Sequence, residues 1–138
     1  MEDVKALLSS EINKYSTFKT EQGLDISGVR QSILQESKPE HALERTLLAA
    51  MLISKADGGT LYVLENDQLN IHALYNKSLN LTMRSFQGNG AKKRSIPMMD
   101  GSSGHPNRHF LLVRSVMDSH TINIANVQAD DAYDTTGT

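Results

Sequence analysis

The sequence predicts a single α+β domain in which an antiparallel sheet is flanked by helices. The strongest sign is a change of period along the chain. Apolar residues recur at helical spacing up to Ser54, alternate from Thr60 to Asn76, and return to helical spacing between Arg108 and Met117. The second sign is punctuation, since glycine, proline and asparagine cluster where one period gives way to the next. The third is size, because 138 residues hold one core and leave little room for a second.

Glu2 to Tyr15 carries Val4, Leu7, Leu8, Ile12 and Tyr15 on one stripe, which predicts an amphipathic helix. It is too short to stand alone, so the stripe needs a partner. Thr20 to Ser27 reads as a connection, and Val29, Ile33 and Leu34 predict a second short helix ending near Ser37. This helical segment, 1–37, precedes a domain spanning 38–138. Ser37 as cap, Pro39 in the first turn and Glu40 at the positive end open a third helix, striped by Leu43, Leu47, Ala50, Met51 and Ser54. Leu48 and Leu52 widen that stripe. Ala56-Asp57-Gly58-Gly59 supplies the stop, with glycine in the left-handed conformation.

Thr60–Leu64 and Leu69–Tyr75 then form a hairpin around a turn at Glu65-Asn66-Asp67-Gln68. Asn80 to Arg94, with Gly88-Asn89-Gly90 and Lys92-Lys93-Arg94, reads as a mobile loop. Ser95–Met99 is a short strand that Pro97 confines to an edge or an end. Asp100 to Pro106 is a second loop, Arg108–Met117 a helix with Pro106 in its first turn, and Thr121–Val127 a final strand.

The composition narrows the function classes. A formal net charge of −2 offers no broad basic surface for nucleic acid or an anionic membrane. No apolar run approaches the roughly 20 residues that span a bilayer, and the acidic start is unlike a signal peptide. The absence of cysteine excludes disulfides, thiol catalysis, cysteine-ligated zinc and a thioether-linked bilin, and agrees with a cytoplasmic location. No nucleophile elbow or His-Glu-x-x-His motif is present, so an enzyme is not expected. No cofactor is expected either.

Four segments carry a resemblance: Ala56-Asp57-Gly58-Gly59 leading into Thr60–Leu64, Tyr75-Asn76-Lys77-Ser78-Leu79-Asn80, Ser95-Ile96-Pro97-Met98, and Thr121-Ile122-Asn123-Ile124-Ala125-Asn126-Val127. A tail, Tyr133-Asp134-Thr135-Thr136-Gly137-Thr138, follows. Their order resembles a GAF domain, chiefly the bacterial modules beside HD-GYP-type phosphohydrolase domains or in other cyclic-nucleotide signalling proteins. Between Asn107 and Ser119 the chain departs from the family, carrying Phe110 and Arg114 where small residues and a tyrosine are usual. A complete GAF domain also continues past Gly137-Thr138 with two strands and a helix. The resemblance therefore implies a GAF-like fold that is C-terminally incomplete, with an open edge along Thr60–Leu64.

That resemblance implies a regulatory sensory domain of signal transduction. It would bind a small ligand, cyclic nucleotides by analogy, or mediate dimerisation, with an output domain attached beyond Thr138. The alternatives are a pure protein–protein interaction module and the N-terminal part of a GAF-containing phosphodiesterase or cyclase. The candidate ligand-binding residues are Tyr62, His72, Asn76, Ser78, Asn107, Arg114 and Asn123. Each has a plainer reading. Asn76 and Ser78 suit a turn, His72 suits a core or surface position, and Arg114 can lay its stem on apolar surface with its head in water. His105 and His109 have helical spacing for a metal but no evident third ligand. Lys92-Lys93-Arg94 is a weak phosphate footprint, and Asp130, Asp131 and Asp134 lack the spacing of a calcium loop. A homodimer is expected through Leu8, Ile12 and Tyr15 of the first helix.

Overall fold

The computed structural model describes residues 3–84 and 95–127. These fall into two compact units, one within Met1–Val63 and Asn70–Arg94, the other within Leu64–Leu69 and Ser95–Thr138. The fold is α+β, with helices and antiparallel sheet.

In the first unit, helix α1 (Val4–Asn13) begins at Asp3, whose carboxylate accepts the Lys5 N–H at 2.8 Å. A single 3₁₀ turn and a two-stranded ribbon, β1 (Lys19–Thr20) and β2 (Gly23–Leu24), lead to helix α2 (Ile26–Leu34), capped by Asp25. Gly28 admits the Phe18 ring so closely that an added Cβ would lie 2.2 Å from its Cδ1. Helix α3 (Pro39–Ser54) has proline in its first turn, as expected. Its N-cap is Lys38 with no side-chain bond, so Ser37 does not serve as the cap. Nor do glycines close the helix. Lys55 takes the left-handed conformation, φ 58°, and Gly58 and Gly59 already belong to the next strand. Gly59 has a different task, since a Cβ there would lie 2.8 Å from Leu47 Cδ1, where the strand passes close to α3.

Strands β3 (Gly58–Glu65) and β4 (Gln68–Asn76) join through Asn66 and Asp67, both with positive φ, as a type I′ hairpin turn requires. Leu69, Ile71, Ala73 and Tyr75 of β4 are buried and alternate with half-buried residues, as the period of 2 predicts. Strand β5 (Leu81–Arg84) pairs antiparallel to β4, with Tyr75 opposite Thr82. The stretch read as a loop from Asn80 therefore opens with a strand; Gly88–Gly90 and Lys92–Arg94 lie outside the described residues. The strand order is β3-β4-β5, so among the described residues β3 has β4 on one side and no strand on the other.

The core of this unit flanks α3. Val4, Leu8, Leu47, Leu48, Met51, Ala73 and Tyr75 form one cluster; Tyr15, Val29 and Ala49 form a second. The stripe of α1 has thus found its partner within the chain. Leu8 and Tyr15 are buried against their own fold and are not available as a dimer contact. The buried face of α3 is also turned from the expected stripe. Glu44, Arg45, Leu47, Leu48, Ala49 and Met51 face inward, while Leu43, Ala50 and Ser54 are exposed.

In the second unit, strand β6 (Ser95–Pro97) pairs with β4, and the Met98 N–H donates to Asp67 O at 2.8 Å. Helix α4 (Leu111–Asp118) starts three residues later than Arg108. Pro106 lies before it, in a bridge with Met99, rather than in its first turn. The expected strand at Thr121–Val127 does not form. His120 is held to the end of α4, its N–H donating to Ser115 O and its carbonyl accepting from Ser115 Oγ. Ile122 and Ile124 then line a cleft beside Leu111 and Leu112 instead of joining a ladder. Asp130, Asp131, Asp134 and the 133–138 tail lie outside the described residues. Among those residues no helix is long and apolar enough to cross a membrane.

Candidate functional site

Two adjacent residues of α3 organise the first unit. Arg45 is 8% exposed; its Nε donates to Glu11 Oε2 of α1 at 2.9 Å, and its terminal nitrogens reach Ser32 O and Oγ of α2 at 3.1 and 2.9 Å. The Tyr15 hydroxyl donates to the same Glu11 carboxylate, and the guanidinium lies 5.7 Å from the Tyr15 ring centroid. Glu44, the residue before, turns to the sheet. It accepts from the Tyr75 hydroxyl of β4 and from Arg84 Nε of β5 at 2.8 Å. Arg84 lies 5.5 Å from the Tyr75 ring, its diagonal neighbour across the strand pair.

Each cluster therefore holds one tyrosine, one glutamate and one arginine, with the charges balanced. Burial first, then the hydrogen bond to Glu11, pushes the Tyr15 phenol well above its ordinary 10.0. Burial and Glu44 do the same to Tyr75. Burial is the largest single influence on the Arg45 guanidinium and would lower it, but the hydrogen bonds and charges of Glu11 and Tyr15 together raise it. Buried charges of this kind are tolerated because each is paired and hydrogen-bonded. Among the described residues no buried side-chain nitrogen or oxygen lacks a partner. A cleft of about 120 Å³, lined in part by Ser10, Glu11, Glu36, His41 and Arg45, opens onto the Arg45 cluster.

The residues singled out from the sequence fall in both units. Tyr62, His72, Asn76 and Ser78 belong to the first; Asn107, Arg114 and Asn123 belong to the second. Asn76 and Ser78 are brought together in the turn after β4. Asn76 Oδ1 accepts the Leu79 N–H at 2.9 Å, and Ser78 donates both N–H and Oγ–H to Asp57 Oδ1, at 3.1 and 2.6 Å. Asn80 closes the turn with φ 51° and accepts the Val4 N–H at 3.0 Å, fixing the start of α1. His72 Nε2 contacts the Glu40 carbonyl at 3.1 Å, and Tyr62 is half-buried on β3. Asn107 is buried and donates from Nδ2 to Pro97 O at 2.7 Å, while Arg114 Nε donates to Arg108 O at 2.7 Å. Asn123 is exposed on the rim of a cleft of about 390 Å³ with Leu111, Leu112, Ile122, Ile124 and Val127. No group of three or more metal-ligating side chains exists among the described residues, so His105 and His109 gain no third ligand there.

Sequence reasoning passed over Glu11, Tyr15, Glu44, Arg45, Tyr75 and Arg84 as a set. The available signal was the Glu44-Arg45 pair within an apolar helix, flanked by Leu43, Leu47 and Leu48.

A second surface feature lies between α2 and α3. An open groove of about 370 Å³ is lined by Ile26, Val29, Ile33, Leu34, Ala50 and Ile53, with Arg30 as its charged member. Ile26 and Leu34 are 63% and 70% exposed.

No family model, curated protein or solved structure matches this chain.

Proposed function

We propose that this chain is a non-catalytic regulatory module of GAF type, sensing at the sheet and transmitting through its helices. One observation carries the reading. Glu44 and Arg45, consecutive on α3, join β4 and β5 on one side to α1 and α2 on the other. A ligand that prefers one arrangement of the sheet would bias the helices through this junction, by its differential affinity for two states. The order of helix, hairpin, short strand and helix adds support, as do Asn76 and Ser78 at the turn after β4. Cyclic nucleotides are the first ligand class to try, by analogy with the family, and a cytoplasmic setting and an attached output domain belong to the same reading.

The test is a thermal melt with and without cyclic AMP, cyclic GMP and cyclic-di-GMP. Ligand at about 100 times its dissociation constant adds about 2.7 kcal/mol, a shift of several degrees. A shift with one nucleotide is the expected result; an unmoved transition with all three rejects cyclic-nucleotide sensing. The second reading is a pure interaction module, favoured by the exposed apolar groove between α2 and α3 and by the edge of β3, which has no strand beside it among the described residues. That reading predicts no shift with any nucleotide.

A further inference from the structure

Strand β5 is held in place by charge more than by apolar burial. Leu81 is exposed, Thr82 and Met83 are half-buried, and neither core cluster takes a side chain from the strand. Its one buried side chain is Arg84, whose Nε donates to Glu44 Oε1 at 2.8 Å and to the Tyr75 hydroxyl at 3.0 Å. The ladder to β4 pairs only Leu81 to Arg84, and among the described residues β5 has no strand on its other side. Its two ends reach two helices. Arg84 is bound to α3 through Glu44, and Asn80, just before the strand, accepts the Val4 N–H of α1 at 3.0 Å.

From this geometry we infer that β5 is a hinged strand, which leaves the sheet as one piece with Arg84 as its latch and Asn80 as its hinge. The turn behind Asn80 is tied down and stays. The Lys77 N–H donates to Asp57 O at 2.7 Å, Ser78 binds Asp57 Oδ1, and the Leu79 N–H donates to Asn76 Oδ1. Asn80 is the first residue beyond those ties. Its left-handed backbone, φ 51°, brings Leu81 back opposite Asn76, so the closed hairpin needs it and the open one does not. With the strand gone, Asn80 relaxes toward the commoner right-handed region and its carboxamide turns away from Val4. Arg84 departs in the same step, which leaves Glu44 with the Tyr75 hydroxyl alone on the sheet side. No core side chain leaves its cluster, so this opening costs less than global unfolding. One movement at the sheet is then felt by two helices, at Glu44 of α3 and at Val4 of α1.

The inference needs no ligand, so a melt that no nucleotide moves leaves it standing. Its test is amide hydrogen exchange on the full chain in a series of low urea concentrations. The β5 amides that pair with β4 and the Val4 amide should open with one free energy and one shallow urea slope. Both should lie below the values for the α3 amides of Leu48 and Met51, because the slope follows the surface exposed in each opening. Arg84→Gln removes the latch and touches nothing in α1. It should quicken exchange at β5 and at Val4 by the same factor, about tenfold or more, since a hydrogen-bonded charge is lost. Different slopes for Val4 and β5 in the unaltered protein overturn the inference, and that result needs no variant to fold. So does exchange of both sets only along the steep slope of global unfolding. A quickening in Arg84→Gln that stops at β5 and leaves Val4 unaltered overturns it as well.

Discussion

Glu44 and Arg45 stand side by side on α3, yet their carboxylate and guanidinium serve opposite sides of the helix. Glu44 binds Tyr75 and Arg84 of the sheet, and Arg45 binds Glu11 of α1 and Ser32 of α2. Consecutive helical residues point about 100° apart, so adjacent positions can serve different neighbours. A single helix thereby links two layers through polar contacts as well as apolar packing.

Arg45→Ala should be among the most damaging single changes in the chain. It leaves Glu11 buried with Tyr15 as its remaining buried hydrogen-bond donor, and breaking a buried pair on one side costs about 3–5 kcal/mol. Urea unfolding measures this, and a loss below about 1 kcal/mol would show that the pair contributes little.

Alkaline stability should report the two tyrosines. Both phenols keep their protons in the folded state well above the ordinary 10.0. A group with a raised folded pKa gives stability that is intact below its unfolded pKa and is lost as pH rises toward the folded value. Stability should therefore fall above about pH 10, and the Tyr15→Phe, Tyr75→Phe double variant should lose that part of the slope. Denaturant midpoints taken across the alkaline range decide it.

Gly28→Ala should destabilise although it lies in a helix, where alanine is normally the better former. The new Cβ would meet the Phe18 ring at 2.2 Å, so the ring must leave its place beside Tyr15, Val29 and Ala49. A loss of about 1–3 kcal/mol is expected from overpacking. Restoration by Phe18→Leu in the same chain would identify the ring as the cause.

Asn80→Gly keeps a residue suited to positive φ but removes the oxygen that accepts the Val4 N–H. The expected cost is about 1 kcal/mol, and amide exchange should quicken at the start of α1. Unchanged protection there would mean that Asn80 does not hold the helix.

Much of the fold was legible because it rests on local periods. The alternation in β4 located its buried face residue by residue, and Pro39 marked the start of α3. The face of α3 was not legible, because the deciding interactions join residues such as Glu11 and Arg45, 34 positions apart. Reading Leu43 and Ala50 as inward ignored two charged residues that had partners waiting on both sides. The final strand failed for a related reason. Thr121 to Val127 has strand-forming residues, but a strand needs a neighbour, and Leu111, Leu112 and Ser115 offer a helix instead. Of the candidate site, the turn residues Asn76 and Ser78 were found together, and their bonds to Leu79 and Asp57 match their turn chemistry.

The most direct test of the central claim is hydrogen exchange on Tyr75→Phe, which deletes one hydroxyl on the sheet side and keeps the ring in the core. If Glu44 and Arg45 link the layers, amides of α1 around Glu11 and Ile12 should exchange faster along with those of β4 and β5. Faster exchange confined to β4 and β5, with α1 unaltered, would contradict it.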